Sequence, residues 1–362
     1  MKASTHSIVG TGLFALDVIL RQDGSQPPPT LGGSAGNVLC ILGALGWDVT
    51  PVGVLGQDVA ADWVGRGFEE VQADTRFLLR SEGRMTPVIY QHQLPPSHDG
   101  STHRFSFECP VCGQLRRPFW DRDDQLEVFH SELPAASVFF LDRPTKLGVT
   151  LAEQYSASGT LVVFEPSTVG HDPELFERAV RCADVVKYAE DRIHRLDEFS
   201  IRDSALEIQT LGPEGLRFRV AAVSDEWNYL NAYHVPFLQD TSGAGDWCTS
   251  GLLFDLFAQS ECRRSKLLDY QFLTSALAFG QALSTLNCMT EGARGLLSTW
   301  PADSVIQLAR ELQVARLSAV HLGKSDARER VSEPRLFRLI SEANRGGNTS
   351  SSRHPDYCCP TF

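Results

Sequence analysis

The sequence predicts an α/β sandwich, with a mainly parallel central sheet between helices and a small second sheet beside it. Short β-rich apolar runs alternate with longer stretches of helical period, which is how parallel strands joined by crossover helices read in sequence. Between about residues 74 and 108 that alternation stops, and strand-like segments follow one another directly. The composition, 42% hydrophobic and 22% charged, is close to that of globular domains and excludes wholesale disorder and a collagen-like chain.

The first strand is expected at Ser7 to Val9, and Phe14 to Leu20 forms another strand-like run. Further strands are expected at Val52 to Leu55, Val138 to Leu141, Leu161 to Phe164, Asp184 to Val186 and Ile208 to Leu211. Helices are expected at about 34–46, 58–70, 146–157, 173–182, 243–259, 267–287 and 302–316, several opening at Ser, Asp or Gly just after a strand. Met85 to Leu94 and His103 to Phe107 flank the turn-rich Pro95-Pro96-Ser97-His98-Asp99-Gly100. With Phe14 to Leu20 they are expected to form a small antiparallel sheet, taking in about 13–21 and 74–108, that is a candidate lid. From about 321 onward Arg, Ser, Glu, Gly and Asn dominate, and the stretch Gly346 to Ser352 reads as flexible.

At 362 residues the chain suits two units or a single large α/β domain. Lys+Arg 33 against Asp+Glu 45 gives a net charge of −12, which argues against nucleic acid as a partner and leaves room for a local phosphate pocket. No apolar run approaches the length of a membrane span. Met1 to His6 lacks the order of a signal peptide, and the expected location is the cytoplasm. Nine Cys scattered through a long chain do not make a secreted disulfide framework.

The most informative segment is Asp240-Thr241-Ser242-Gly243-Ala244-Gly245-Asp246, followed by Trp247 and an apolar helical pattern. Small residues at 243–245 let backbone N–H groups converge on one point, and free N–H donors at a helix start make an anion site suited to a phosphoryl group. Asp246 at the edge of that site could accept a proton from an attacking hydroxyl while the amides stabilise phosphoryl charge. For the bare G-A-G-D, an Asp that only caps a glycine-rich turn explains the residues equally simply.

The full segment strongly resembles the D-T-x-G-A-G-D signature of the ribokinase-like (PfkB) sugar and nucleoside kinases. Gly32-Gly33-Ser34-Ala35-Gly36-Asn37 resembles the same family's G-G-x-x-x-N at the start of the first helix. Weaker matches fall in register: Gly12 to Asp17 resembles G-x-x-x-x-D, Gly53 with Gly56-Gln57-Asp58 resembles G-x-x-G-x-D, Thr210 to Gly215 resembles T-x-G-x-x-G, and Glu291-Gly292-Ala293 resembles a late G-A element. The resemblance covers about residues 6–300 and implies a kinase domain over 1–320 with a tail at 321–362.

The resemblance implies roles. Asp246 would be the base, with Gly243, Ala244 and Gly245 forming the anion hole. Asp17, Gly33 and Asn37 would bind the acceptor, and Asn37 can both donate and accept hydrogen bonds, which suits a vicinal diol. Thr210, Gly212, Gly215 and Gly292 would serve ATP, with Mg²⁺ bridging its phosphates. Asp240 and Ser242 fall where many members bind a monovalent cation such as K⁺.

The chain also departs from the pattern. Many members carry N-x-x-E where this chain has Ala189 and Arg192; Glu190 or Asp191 could serve instead, Lys187 and Arg192 could neutralise phosphate, or all four could be a solvated helix start. Ala61 stands where a Gly often follows G-x-D, and Ala15 where ribokinase has a sugar-binding Asn. Asp142 and Arg143 follow a predicted strand, where open parallel sheets place ligands, so they read either as acceptor ligands or as a structural ion pair.

Cys109-Pro110-Val111-Cys112-Gly113, within an insertion at about 108–120, has zinc-knuckle spacing. It is half of a zinc site, to be completed by Cys358-Cys359 or His354, or it holds two unliganded thiols. Cys40, Cys182, Cys248, Cys262 and Cys288 sit in helical patterns and read as packing residues. The expectation is an ATP-dependent kinase of a hydroxyl, the CH₂OH of a monosaccharide or sugar derivative. A nucleoside kinase of the same fold and a ligand sensor without turnover are the alternatives, and an exposed lid edge makes a homodimer plausible.

Overall fold

The computed structural model describes residues 6–94, 103–118, 133–235, 237–258 and 264–321. The expected tail beyond residue 321, together with His354, Cys358 and Cys359, and Cys262, lies outside them.

The strands are β1 (Ser7–Thr11), β2 (Ala15–Leu20), β3 (Thr30–Gly32), β4 (Asp48–Gly56), β5 (Leu78–Ser81), β6 (Val88–Gln93), β7 (His103–Ser106), β8 (Val138–Leu141), β9 (Leu161–Phe164), β10 (Val185–Ala189), β11 (Leu206–Thr210), β12 (Leu216–Val220) and β13 (Ser224–Leu230). The helices are α1 (Ser34–Ala44), α2 (Val59–Glu69), α3 (Lys146–Ala157), α4 (Pro173–Cys182), α5 (Ala244–Phe257), α6 (Tyr270–Asn287), α7 (Gly295–Thr299) and α8 (Ala302–His321).

The main sheet runs β13-β12-β11-β10-β9-β8-β1-β4-β5, parallel from β11 to β5 and closed at one edge by the antiparallel β12–β13 hairpin. β8 and β9 at its centre are apolar at every position, because both faces are covered. Ile8, Phe140 and Val163 pack into a core shared with Val38, Leu39, Leu253 and Leu277 of α1, α5 and α6. Their neighbours Val9, Phe139 and Val162 face the other way, toward Val149 of α3 and Phe176 of α4. This is the three-layer arrangement that the alternation predicts.

The second sheet runs β3-β2-β6-β7. It is mixed rather than wholly antiparallel, since β2 and β6 pair in parallel. Residues 74–84 do not belong to it: β5 joins the edge of the main sheet, parallel to β4, with Phe77 and Leu78 buried. A strand followed by a helix and a parallel strand is a crossover unit, and α2 supplies that helix between β4 and β5. The boundary was hidden because β5 and β6 are both short and consecutive. Asp58 caps α2 through Ala61 N (3.0 Å) and ties down the chain before β6 through Thr86 N (2.9 Å) and Arg116 (2.7 Å), a structural use of the G-x-D carboxylate.

Among the described residues no helix is long and apolar enough to cross a membrane. Helices α5 and α6 meet glycine to glycine. A Cβ on Gly280 would lie 2.4 Å from the Cys248 carbonyl oxygen, and one on Gly251 would lie 2.6 Å from Gly280 Cα. Gly280→Ala must therefore push α5 away from α6, and urea unfolding should show a loss of about 1–3 kcal/mol with an unchanged slope. An unchanged midpoint would mean that the two helices are not packed this closely.

Candidate active site

Two helix starts converge at the carboxyl ends of the central strands. At the start of α5, Gly243 is left-handed (φ 72), and a Cβ there would lie 2.4 Å from the Ala293 carbonyl oxygen. Only glycine fits that turn without strain. The Ala244 amide donates to Thr241 O at 3.2 Å, whereas the amides of Gly243, Gly245 and Asp246 have no internal acceptor among the described residues. The amides left open at the turn are thus those of Gly243, Gly245 and Asp246, while Ala244, expected to contribute, directs its amide at Thr241. At α1, Gly33 (φ 80) packs against the Leu13 carbonyl, where a Cβ would lie at 2.3 Å.

Asn37, on the first turn of α1, donates from Nδ2 to Asp246 Oδ2 at 2.8 Å. Its own Oδ1 is buried without a partner. Burial pushes the Asp246 carboxyl well above the usual range, reinforced by the nearby Glu165 and only partly countered by Asn37 and Lys187. Glu165, just after β9, is paired with Lys187 of β10 and accepts from Thr249. Lys187 Nζ also donates to Gly245 O at 3.2 Å, which braces the underside of the glycine turn. Sequence reading missed Glu165. The available signal was its position directly after an apolar strand of a parallel sheet, where ligand-facing groups lie.

Asp17 of β2 lies over Gly32, whose missing Cβ leaves the room its carboxyl occupies. Its Oδ1 is buried without a partner, and burial raises its pKa to about 7 against the opposing charge of Arg294. Asp142 is different. It is fully buried, accepts from Leu13 N (2.9 Å) and Ala35 N (3.2 Å), and meets Arg143 at 3.3 Å. The carboxylate is used inside the fold to hold the loop after β1 against the start of α1 and does not line the cavity, whereas Arg143 does.

One cavity of about 1990 Å³ connects these groups. That exceeds a single small-ligand pocket, usually about 300–1,000 Å³, and suits two substrates end to end. Asp17, Gly33, Asn37 and Arg143 line one end and Thr210, Gly212, Tyr233 and Val235 the other, with the 243–246 turn between. Ala189, Asp191 and Arg192 also face it, so the departed N-x-x-E positions do reach the cavity. Gly215 and Gly292 are not among the lining residues. Gly215 (φ 108) closes the β11–β12 turn, where a Cβ would meet Leu230 O at 2.2 Å, and Gly292 N donates to Asp240 at 2.9 Å.

Asp240 and Ser242 lie beneath the turn. Burial alone would raise Asp240, but hydrogen bonds from His103, Ser242 and Gly292 outweigh it and hold the carboxyl at about 2. Cys109 is buried and Cys112 exposed in a turn closed by Gly113 N to Cys109 O at 2.9 Å. Among the described residues no group of three His, Cys, Asp or Glu is placed to hold a metal.

No family model matches the chain. Among curated proteins it is 23% identical over 290 residues to one named as a sugar kinase from Pyrococcus horikoshii, covering 75% of this chain and 89% of that one. It is 24% identical over 290 residues to an aminoimidazole riboside kinase of Salmonella typhimurium, covering 72% and 83%. Its fold matches a fructokinase with bound ATP from Xylella fastidiosa (TM-score 0.62, 20% identity, 84% of this chain and 98% of that one). It also matches a Vibrio cholerae fructokinase with fructose, ADP and potassium bound (TM-score 0.60, 20% identity, 82% and 96%). Sequence relatives and fold thus agree: this chain has the ribokinase-like kinase fold, and its segments Gly32–Asn37 and Asp240–Asp246 resemble the signatures of those kinases.

Proposed function

We propose that the chain transfers the γ-phosphoryl group of ATP to a hydroxyl of a monosaccharide or sugar derivative, with Asp246 as the general base. The observation that carries this is Asp246 itself, a buried carboxylate of raised pKa beside three unclaimed amides, midway along a cavity long enough for donor and acceptor. The acceptor hydroxyl would lie against Asp246 while Asp17 and Asn37 Oδ1, each with an unserved buried oxygen, take up neighbouring hydroxyls. As the oxygen attacks, its proton passes to Asp246, and charge on the transferring group falls on the amides of Gly243, Gly245 and Asp246. Of the carboxylates lining the cavity, Asp191 would hold Mg²⁺, since Glu165 is committed to Lys187 and Thr249; the ion would supply charge neutralisation on the ATP phosphates.

The small sheet serves as the lid in this reading, since His103, Phe105 and Phe107 line the cavity over the acceptor end. Closing it would exclude water and limit idle ATP hydrolysis. One observation favours a nucleoside as the alternative acceptor: Leu13, Ile89, Phe105 and Phe107 form an apolar wall there that a planar base could cover.

The test is ADP release with ATP and Mg²⁺ across sugars, sugar acids and nucleosides. Acceptor-dependent turnover is expected, with Asp246→Asn slower by roughly 10²–10⁴-fold. Ligand binding without turnover would instead leave a sensor.

Because the base must be ionised, kcat/KM should rise with pH through a midpoint above the ordinary carboxylate range and level off beyond it. An acid limb near pH 4 would remove Asp246 as the base.

Asp17 gives a stability prediction. Its folded pKa of about 7 lies above the unfolded value, so the folded state loses stability as pH rises toward and through 7. Asp17→Asn should melt higher than the parent at pH 8, with the gap closing by about pH 4, and should raise the acceptor KM. Parallel melting curves across that range would show that Asp17 is solvated.

A further inference from the structure

The turn below the anion hole bears on the expected monovalent cation. A potassium ion needs several oxygens free to replace its hydration shell. Here the oxygens are already served. Asp240 Oδ1 accepts from Ser242 N (2.9 Å) and Ser242 Oγ (2.7 Å) and lies 3.2 Å from His103 Nδ1. Its Oδ2 accepts from Gln91 Nε2 (2.6 Å) and Gly292 N (2.9 Å). Five donors saturate one carboxylate.

The carbonyls beside it are taken as well. Asn287, at the end of α6 and fully buried, donates from Nδ2 to Ser242 O at 3.0 Å and points the same nitrogen at Gly292 O, 3.4 Å away. Its amide orientation is set from the other side, because Oδ1 accepts from Leu296 N at 3.3 Å and Thr290 Oγ1 at 3.4 Å. A nitrogen donor therefore stands where two carbonyls and a carboxylate converge.

We infer that this chain holds its phosphate turn without a monovalent cation, the Asn287 amide, with Gln91 and His103 of the small sheet, doing what a bound ion would otherwise do. The donors Gln91 and His103 come from β6 and β7, so the same contacts tie the lid sheet to the turn under Asp246. The inference rests on hydrogen bonding inside the protein and is read by binding, so a failure to find turnover does not bear on it.

The test compares melting of the full chain in 100 mM KCl, NaCl and choline chloride, alongside a thallium(I) titration followed by ²⁰⁵Tl NMR. The expected result is melting temperatures within about 1 °C of one another and no saturable thallium signal. A K⁺-specific rise of roughly 5 °C, the size expected when a ligand is present at about 100 times its Kd, or a saturable bound resonance, would overturn the inference. Asn287→Ser removes the nitrogen and frees both carbonyls. It should melt lower in choline and recover part of the loss in K⁺, a dependence the parent lacks. A folded Asn287→Ser protein that gains no such dependence would show that Asn287 does not occupy a cation's place.

Discussion

The hydrogen bond from Asn37 to Asp246 joins residues 209 apart in sequence and is where the two halves of the site become one. Neither signature is a site alone. The first supplies a helix start with an amide side chain, and the second supplies a helix start with free amides and a carboxylate. A carboxylate in that position, removed from water, needs a partner that does not itself quench its basicity. An amide meets that requirement, because it donates one neutral hydrogen bond and leaves the other carboxylate oxygen to a hydroxyl. The parallel sheet makes the meeting possible: α1 and α5 pack on the same face and both begin at its carboxyl edge.

The site gathers several carboxylates, and the fold sets each differently. Asp240 is saturated with donors and held at about 2, Asp142 is consumed by two backbone amides, and Glu165 is paired with Lys187. Burial raises Asp17, Asp246 and Asp142 alike, but only Asp17 and Asp246 line the cavity. What separates the structural acids from those at the cavity is their hydrogen-bond partners, not the direction of the pKa shift alone. The separation here follows from donor supply: acids at strand ends and turns meet backbone amides, while those facing the cavity leave that part of their bonding to a ligand.

Much of this was legible in the sequence for physical reasons. Strands covered on both faces are rich in apolar residues, wholly so in β8 and β9, so these two stood out, and β1, β10 and β11 could be read from their shorter apolar stretches. The left-handed turn at 243 had to be glycine, which is why the strongest signature sits there. The β12–β13 hairpin was not legible, because β12 (Leu216–Val220) alternates Arg with apolar residues over only five positions. Asp142 and Arg143 were located correctly, but whether the carboxylate faces a ligand or the loop after β1 is a long-range matter. Asn287 lies at the end of an apolar helix and looks like any polar residue at a helix terminus; its role follows only from the two carbonyls that the tertiary fold brings to it.

The loss of N-x-x-E has a consequence on the phosphate side that follows from charge. Ala189 and Arg192 sit at the cavity, where the chain offers a methyl group and a guanidinium instead of an amide and a carboxylate. Loose phosphoryl transfer depends on positioning and on neutralising the charge of the phosphate oxygens rather than on any one ligand. An exposed guanidinium at the cavity rim can meet phosphate oxygens in pairs, a task that neither an asparagine nor a glutamate performs. Lys187, by contrast, is buried and committed to Glu165 and to the Gly245 carbonyl, so its contribution reaches the phosphate only through the turn it braces. In the proposed function the two cations would therefore divide the work by depth, Arg192 toward the ligand and Lys187 beneath the amides. That division would let the site neutralise phosphate charge without an N-x-x-E motif.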